Sequence, residues 1–293
     1  MLLLTGATGL VGGALLRRLL AEGSQVRCLV RDPGRLGAQR VRVQIALGDL
    51  TDPPSFRNAM RGVHTVVHLA ASTRDQPRGS IEELNGIATW RMVEAAQRQG
   101  VERFVYFSAL GASTHHRTRL LRAKALAEQA VAESDVRSIV FAPSIIYAPG
   151  DKWLTLLERL SLLPVMPVPG SGRALFQPLW AEDVAECVIA ALAIEQHEPA
   201  VRYELAGPET LSHNDMVRTL LRSLGRRRPL LNVPTPIVSR SLRMLEAIAG
   251  QGAFATWDEA ELLEVAMISS RGDRDARALG APAQRMSAVL GET

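Results

Sequence analysis

Three groups of residues in this 293-residue chain have types and spacings suited to chemistry. The first is Gly6, Gly9 and Gly12 in the stretch TGATGLVG, between an apolar run at 2–4 and an apolar-periodic run at 10–20. Glycines so placed allow a tight turn at Gly6, a close backbone approach to a pyrophosphate at Gly9, and close helix–strand packing at Gly12. Free N–H groups at the helix start would face the phosphates. The expected ligand is a dinucleotide, held by Thr5, Gly6, Thr8, Gly9, Leu10, Val11 and Gly12. The second group, Arg31, Asp32 and Arg35, follows the next apolar run, where the adenosine ribose is expected. Guanidinium groups suit a 2′-phosphate, whereas an acidic side chain accepts from a bare ribose. Arg31 and Arg35 therefore predict NADP(H) in preference to NAD(H); Asp32 on the ribose is the opposing reading. The third group is Lys124, one of only two lysines, the other being Lys152. A lysine desolvated in an apolar pocket drops in pKa and can carry a proton.

Other residues extend this set. Asp49 can accept from an adenine amino group while Leu50 packs on the ring. Ala70 and Ala71 are small enough to let backbone pass close to a cofactor. Tyr147 is a candidate acid, and His115, next to His116, is another. Trp153, Phe176 and Trp180 would give a substrate pocket an apolar, planar-ligand character, or else fill a core.

These residues need a frame, and the chain supplies a repeated one. Strand-like runs at 2–5, 25–30, 42–47, 65–69, 104–108 and 138–142 alternate with helical patterns at 11–21, 54–60, 81–98 and 120–133. This alternation predicts an α/β fold, a doubly wound parallel sheet with helices on both faces. Ligands of such sheets bind beyond the carboxyl ends of the strands. After residue 142 prolines punctuate the pattern and 164–172 reads as a loop. Helices are expected from Glu182 to Ile194 and from Ser212, with Asp215 completing a capping box. The expected division is a dinucleotide-binding domain at 1–143 plus about 177–195, and a smaller, interleaved lobe at about 144–176 and 196–293.

Composition narrows the classes. Net charge is only +4, and the run Arg226–Arg227–Arg228 lacks interleaved aromatics, so nucleic acid is not an expected partner. Basic residues there suit the negative end of a helix. No apolar run approaches membrane-span length, and no export leader is visible, so a cytoplasmic location is expected. Cys28 and Cys187 read as buried apolar residues. No cluster has metal-ligand spacing, and no metal is expected. The segment 237–249 puts Val238, Leu242, Leu245, Ile248 and Ala249 on one helical face and Arg240 and Arg243 on another. It would pack on the protein's own core, or dock on a membrane surface or a protein partner.

With TGATGLVG, GDL, HLAA, Asn85, FVYFSALGA, Lys124, PSIIYAPGDKW and FQPLWAEDVAE in order, the chain resembles the extended and atypical short-chain dehydrogenase/reductases. The branch containing the dehydrogenase-like accessory subunit of respiratory complex I is the most similar. The resemblance implies a nucleotide contact at Ser108 and Pro143, and a structural or catalytic role for Asn85. It also implies that Lys124 holds the nicotinamide ribose, which explains this lysine as well as proton transfer does, and a catalytic tyrosine four residues before it, but that position is Leu120. The usual catalytic hydroxyl falls on Leu110. Leu110 and Leu120 then line the substrate side with Tyr147, Trp153, Phe176 and Trp180. Leucine has no transferable proton, so ordinary alcohol dehydrogenation is not expected. The stretch after Lys124 also resembles the isoflavone-reductase-like branch, in which a lysine here is the proton carrier beside NADPH. Two functions follow as expectations. One is an NADPH-dependent reductase of a small hydrophobic or conjugated carbonyl or quinone-like substrate. The other is a redox-inert NADP(H)-binding scaffold, assembly factor or sensor, with a non-redox isomerase on the same frame behind it.

Overall fold

The computed structural model of the chain describes residues 1–234 and 257–291. The amphipathic stretch 237–249 lies outside the described residues. Seven parallel strands form the main sheet: β1 (Leu2–Thr5), β2 (Val26–Val30), β3 (Gln44–Leu47), β4 (Thr65–His68), β5 (Arg103–Phe107), β6 (Arg137–Pro143) and the late strand Ala200–Leu205. From that late strand the order runs β6, β5, β4, β1, β2, β3, so chain direction across the sheet switches between β1 and β4. A crevice opens at such a switch point, beyond the strands' carboxyl ends.

Side-chain alternation builds the two covering layers. Leu2 and Leu4 face α1 (Leu10–Ala21) and the later helix Ala181–Ala193, while Leu3 faces α2 (Pro53–Arg57) and α3 (Ala88–Arg98). The same alternation places Val105 and Phe107 on the first face and Phe104 and Tyr106 on the second, with α4 (Arg119–Ala132). Strands buried on both faces read as continuous apolar runs, and these do.

The smaller lobe holds β7 (Ile146–Tyr147), α5 (Lys152–Leu160), β8 (Met166–Pro169), β9 (Leu175–Phe176), β10 (Leu179–Trp180), which leads into α6 (Ala181–Ala193), then β12 (Leu211–Ser212), α7 (His213–Ser223) and β13 (Leu230–Val233), the late sheet strand Ala200–Leu205 being β11. Three further helices, α8 (Trp257–Leu262), α9 (Arg274–Ala278) and α10 (Met286–Gly291), complete the described chain. Ser212 and Asp215 form the expected reciprocal cap of α7.

Four boundaries differ from the sequence reading. The stretch 164–172 is not all loop: Met166 and Val168 are buried, and β8 pairs in parallel with β13. Prolines fit there because β8 is an edge strand of a two-stranded sheet. Residues 33–42 form 3₁₀ turns, so β3 starts at Gln44 rather than residue 42. The helix expected at 81–98 opens with a π turn at Glu83–Ile87. Finally, β11 lies in residues expected to belong to the smaller lobe, yet it extends the main sheet by six registered pairs with β6. Ala276 and Leu279 of the C-terminal segment join the core beneath α1 and α6 for the same reason. Cys28 and Cys187 are both buried and free.

Candidate functional site

The glycine turn follows from sterics. Gly6 adopts φ +73, open to glycine at little cost. A Cβ on Gly12 would lie 2.0 Å from the Gly6 carbonyl oxygen, so α1 can sit this close to the turn only with glycine there. Gly9 is the N-cap of α1; no side chain caps that helix, and its first turn has no acidic residue. Orphan N–H groups are therefore left for an anion.

A cleft of about 570 Å³ opens above this turn. Its lining includes Thr5, Gly6, Thr8, Gly9, Arg31, Arg35, Asp49, Leu50, Ala70 and Ala71. Leu10, Val11 and Gly12 do not line it: Leu10 is exposed, Val11 packs inward and Gly12 supports the turn. Sequence reasoning missed Ser72, Gln76 and Leu84, which close the cleft from the loop after β4 and the π turn. Only chain reversal brings them there, and no spacing signals it.

After β2, Arg31, Asp32 and Arg35 all line the cleft. The Asp32 carboxylate accepts from the Gly34 N–H at 2.9 Å, capping the 3₁₀ turn. Arg31 and Arg35 are exposed and line the cleft, and their side chains engage no partner among the described residues. Asp49 accepts from the Thr51 N–H and hydroxyl, which fixes its carboxylate at the cleft wall.

The cleft floor is wired. Thr89 donates to the Asn85 carbonyl at 2.8 Å, so it accepts from His68 Nε2 at 3.1 Å. His68 Nδ1 then accepts from the Thr5 hydroxyl at 2.8 Å, and Thr5 in turn accepts from the Ala70 N–H. Burial, reinforced by the Lys124 charge, lowers the His68 pKa to about 3, so the ring stays neutral and this tautomer holds. Asn85 spends its amide on the Ser72 and Ile81 carbonyls and accepts from the Ser72 N–H. It is a buried tether between helix and loop, and it presents no free group to the cleft.

Lys124 is buried. Its ammonium donates to the Phe107 carbonyl at 2.5 Å and stands 5.1 Å from the Tyr106 ring centroid. Desolvation lowers its pKa to about 8, against a smaller opposing pull from Glu128. Ser108, one residue beyond β5, has a buried hydroxyl with no partner among the described residues. A buried hydroxyl left unpaired is costly, and a bound nucleotide's polar groups fit that need. Pro143, at the end of β6, holds the Leu110 N–H on its carbonyl.

Leu110 is buried, and Leu120 is partly so. Over this end lies a segment from far down the chain. Leu262, Val265 and Met267 pack on Ala109 and Leu121, and Ser144 donates to the Met267 carbonyl at 2.6 Å. Arginines fasten the segment: Arg74 pairs with Glu259 at 3.0 Å, and Arg119 with Asp75, Glu82 and Asp258. The Arg119 hydrogen bond drags the Glu82 pKa down to about 2.

The remaining expected site residues lie elsewhere. Tyr147 and Phe176 are buried in the smaller lobe's core, with Trp153 and Trp180 packed against it. None of the four lines the cleft, because the lobe needs their bulk for its own core. The Tyr147 hydroxyl is buried without a partner, and burial raises its pKa. His115 is exposed and touches only Thr114 through its ring. Arg226 and Arg228 reach the C-terminal carbonyls of α5, not those of their own helix α7.

The family model described as NAD(P)H-binding matches residues 6–155, from the glycine turn through Lys124 and into α5. The chain belongs to that family. Its fold is a Rossmann-type NAD(P)-binding fold of the atypical short-chain dehydrogenase/reductase kind. Sterol demethylase protein B of Methylococcus capsulatus is 31% identical over 271 residues, 83% of this chain and 80% of the relative. The mitochondrial NADH dehydrogenase (ubiquinone) 1 alpha subcomplex subunit 9 of Arabidopsis thaliana is 29% identical over 247 residues, 79% of this chain. The chain spans 60% of the length of that subunit. An NADPH-dependent quinone oxidoreductase from Escherichia coli, solved with NADPH, shares the fold with a TM-score of 0.75, at 18% identity over 100% of this chain and 99% of that one. No described helix is long and apolar enough to cross a membrane.

Proposed function

We propose that this NAD(P)H-binding protein is an NADPH-dependent reductase of a small hydrophobic, conjugated substrate such as a quinone or enone. The observation that carries the reading is Lys124: buried, ionisable near neutrality, and one helix turn past the leucine that replaces the usual acid. NADPH, when bound, supplies hydride. Gly6, Gly9 and the start of α1 would hold its pyrophosphate, and Arg31 and Arg35 its 2′-phosphate. Ser108 would accept or donate at the nicotinamide end. Lys124 supplies the proton: an N–H bond of the ammonium breaks as a proton passes to the substrate oxygen, and the neutral amine recovers a proton from water. A conjugated substrate suits this site, because hydride addition leaves a delocalised anion that a modest acid can quench. The reductase named among the structural neighbours and the lipid-modifying relative support redox chemistry of this class.

A second reading rests on the C-terminal segment. Leu262, Val265 and Met267 pack on Ala109 and Leu121, beside where the nicotinamide would lie, and the complex I relative is named as a subunit of a larger assembly. A redox-inert NADP(H)-binding scaffold in the cell interior would look like this. The two readings separate on one experiment. The purified chain is given NADPH with a panel of quinones and enones, and nicotinamide absorbance is followed. Consumption by wild type, and its loss in Lys124→Met with NADPH still bound, establishes the reductase. Tight NADPH binding with no consumption establishes the scaffold.

A further inference from the structure

Positive charge is unevenly placed along this chain. Two stretches, 159–181 and 216–245, contain nine arginines and no aspartate or glutamate. The whole chain has 34 basic and 30 acidic residues, so everything outside those stretches is net negative.

The fold brings the described parts of the two stretches together. β8 and β13 pair in register, with Met166 opposite Leu230, and the Met166 N–H donates to the Pro229 carbonyl at 2.9 Å. Arg226 donates to the Glu158 carbonyl at 3.2 Å and to the Ser161 hydroxyl, and Arg228 donates to the Ser161 carbonyl at 3.1 Å. These bonds pin the end of α5. The next four residues, Leu162, Leu163, Pro164 and Val165, are all exposed, Leu162 to 68%. On the paired strand Leu231 is 53% exposed. Four consecutive exposed apolar residues on a pinned turn are costly in water and mark a contact surface. Arg159 and Arg227, both exposed, have side chains with no partner among the described residues. The acidic residues at the borders are Glu158 and Glu182 for the first stretch and Asp215 and Glu246 for the second, and Arg218 pairs with Asp215 at 2.9 Å.

We propose that this tip of the smaller lobe docks peripherally on an anionic lipid surface. Leu162, Leu163 and Val165 enter the headgroup layer, and Arg159 and Arg227 lie against lipid phosphates. Reversible attachment of this kind needs an apolar insertion and a basic patch together, and the tip presents both. Its occupant is a charged plane rather than a shaped partner, because the apolar residues project from a turn and form no groove.

The test is flotation of the full chain with vesicles of phosphatidylcholine alone or mixed with phosphatidylglycerol. The protein should float with anionic vesicles only, and added salt should release it. Arg159→Glu with Arg227→Glu should cut partitioning by roughly thirtyfold, from about fivefold per lost arginine. Leu162→Asp with Leu163→Asp should abolish it. All four positions are exposed, so the melting temperature should not move, and the wild-type salt titration stands independently of any variant. Equal flotation with neutral vesicles, no flotation, or flotation unchanged in both double variants would overturn the proposal. So would binding to an acidic protein with none to vesicles.

Discussion

The two ends of the candidate site, the open cleft and the buried region after β5, are built by opposite means. The phosphate and adenosine end is made of backbone: glycines without Cβ atoms, uncapped N–H groups, and two arginines left without partners. The end after β5, the proposed nicotinamide end, is made of packed side chains outside the cleft's lining: Lys124 and Ser108 are buried, and Leu262, Val265 and Met267 pack on the nearby Ala109 and Leu121. The first end is ready to bind and does little chemistry. The second holds Lys124, a group suited to proton transfer, and chain that arrives more than 130 residues later packs on Ala109 and Leu121 nearby. Binding and chemistry are thus separable here, and variants at the two ends should fail in different ways.

The largest effect is expected at the backbone end. In Gly12→Ala the new Cβ would stand 2.0 Å from the Gly6 oxygen, a clash with backbone that cannot swing aside. A loss of about 3 kcal/mol or more is expected, with loss of nucleotide binding, read by thermal unfolding and fluorescence titration.

At the buried end, Lys124→Met should lower turnover by about 10²- to 10⁴-fold with NADPH affinity nearly kept. The wild-type rate should be flat at low pH and fall as pH rises through about 8, when the ammonium loses its proton. Stability moves the opposite way with pH. The folded pKa lies below the ordinary 10.5, so the unfolded chain binds more protons between about 8 and 10.5. Wild type should gain stability as pH rises through that window, and Lys124→Met should not. A pH-independent rate in wild type would remove Lys124 from the chemistry.

A smaller effect separates the charges at the ribose. Losing charge-assisted hydrogen bonds, Arg31→Ala and Arg35→Ala should each weaken NADPH by about tenfold and leave NADH unchanged. Asp32→Ala should instead cost about 1 kcal/mol of stability through the lost cap, with NADPH affinity little altered. If Asp32→Ala selectively weakened NADH, the carboxylate would be a ribose ligand after all.

The smallest effect tests the cover itself. Arg119→Met removes the side chain that joins Asp75, Glu82 and Asp258. Amide exchange in α8 should quicken, while exchange in β1 stays as it was. Unchanged exchange in α8 would mean that apolar packing alone holds the segment.

The two ends also differed in how far the sequence revealed them. Gly6, Gly9, Gly12, Arg31, Arg35 and Asp49 belong to a local strand–turn–helix pattern, and local geometry shows in local spacing. The parallel sheet was legible for the same reason, since alternating apolar runs specify buried strands. Long-range closure left no such mark. Nothing in the stretch around Val265 signals that it will meet Ala109, and nothing in the run Ala200–Leu205 says that it will extend the main sheet rather than the smaller lobe. Tyr147 and Trp153 carry suitable chemistry, but burial in the lobe core depends on partners such as Met216 and Leu220, distant in sequence. The prolines around β8 misled in the other direction: they forbid a central strand but permit an edge one.

The most direct test of the account is a single-turnover experiment. Protein preloaded with NADPH is mixed with a quinone or enone, and nicotinamide absorbance is followed from neutral to alkaline pH, in wild type and Lys124→Met. The account predicts decay in wild type that slows above a pKa near 8, and almost none in the variant. Decay that is equal in the two proteins, or absent in wild type while NADPH remains bound, would contradict it.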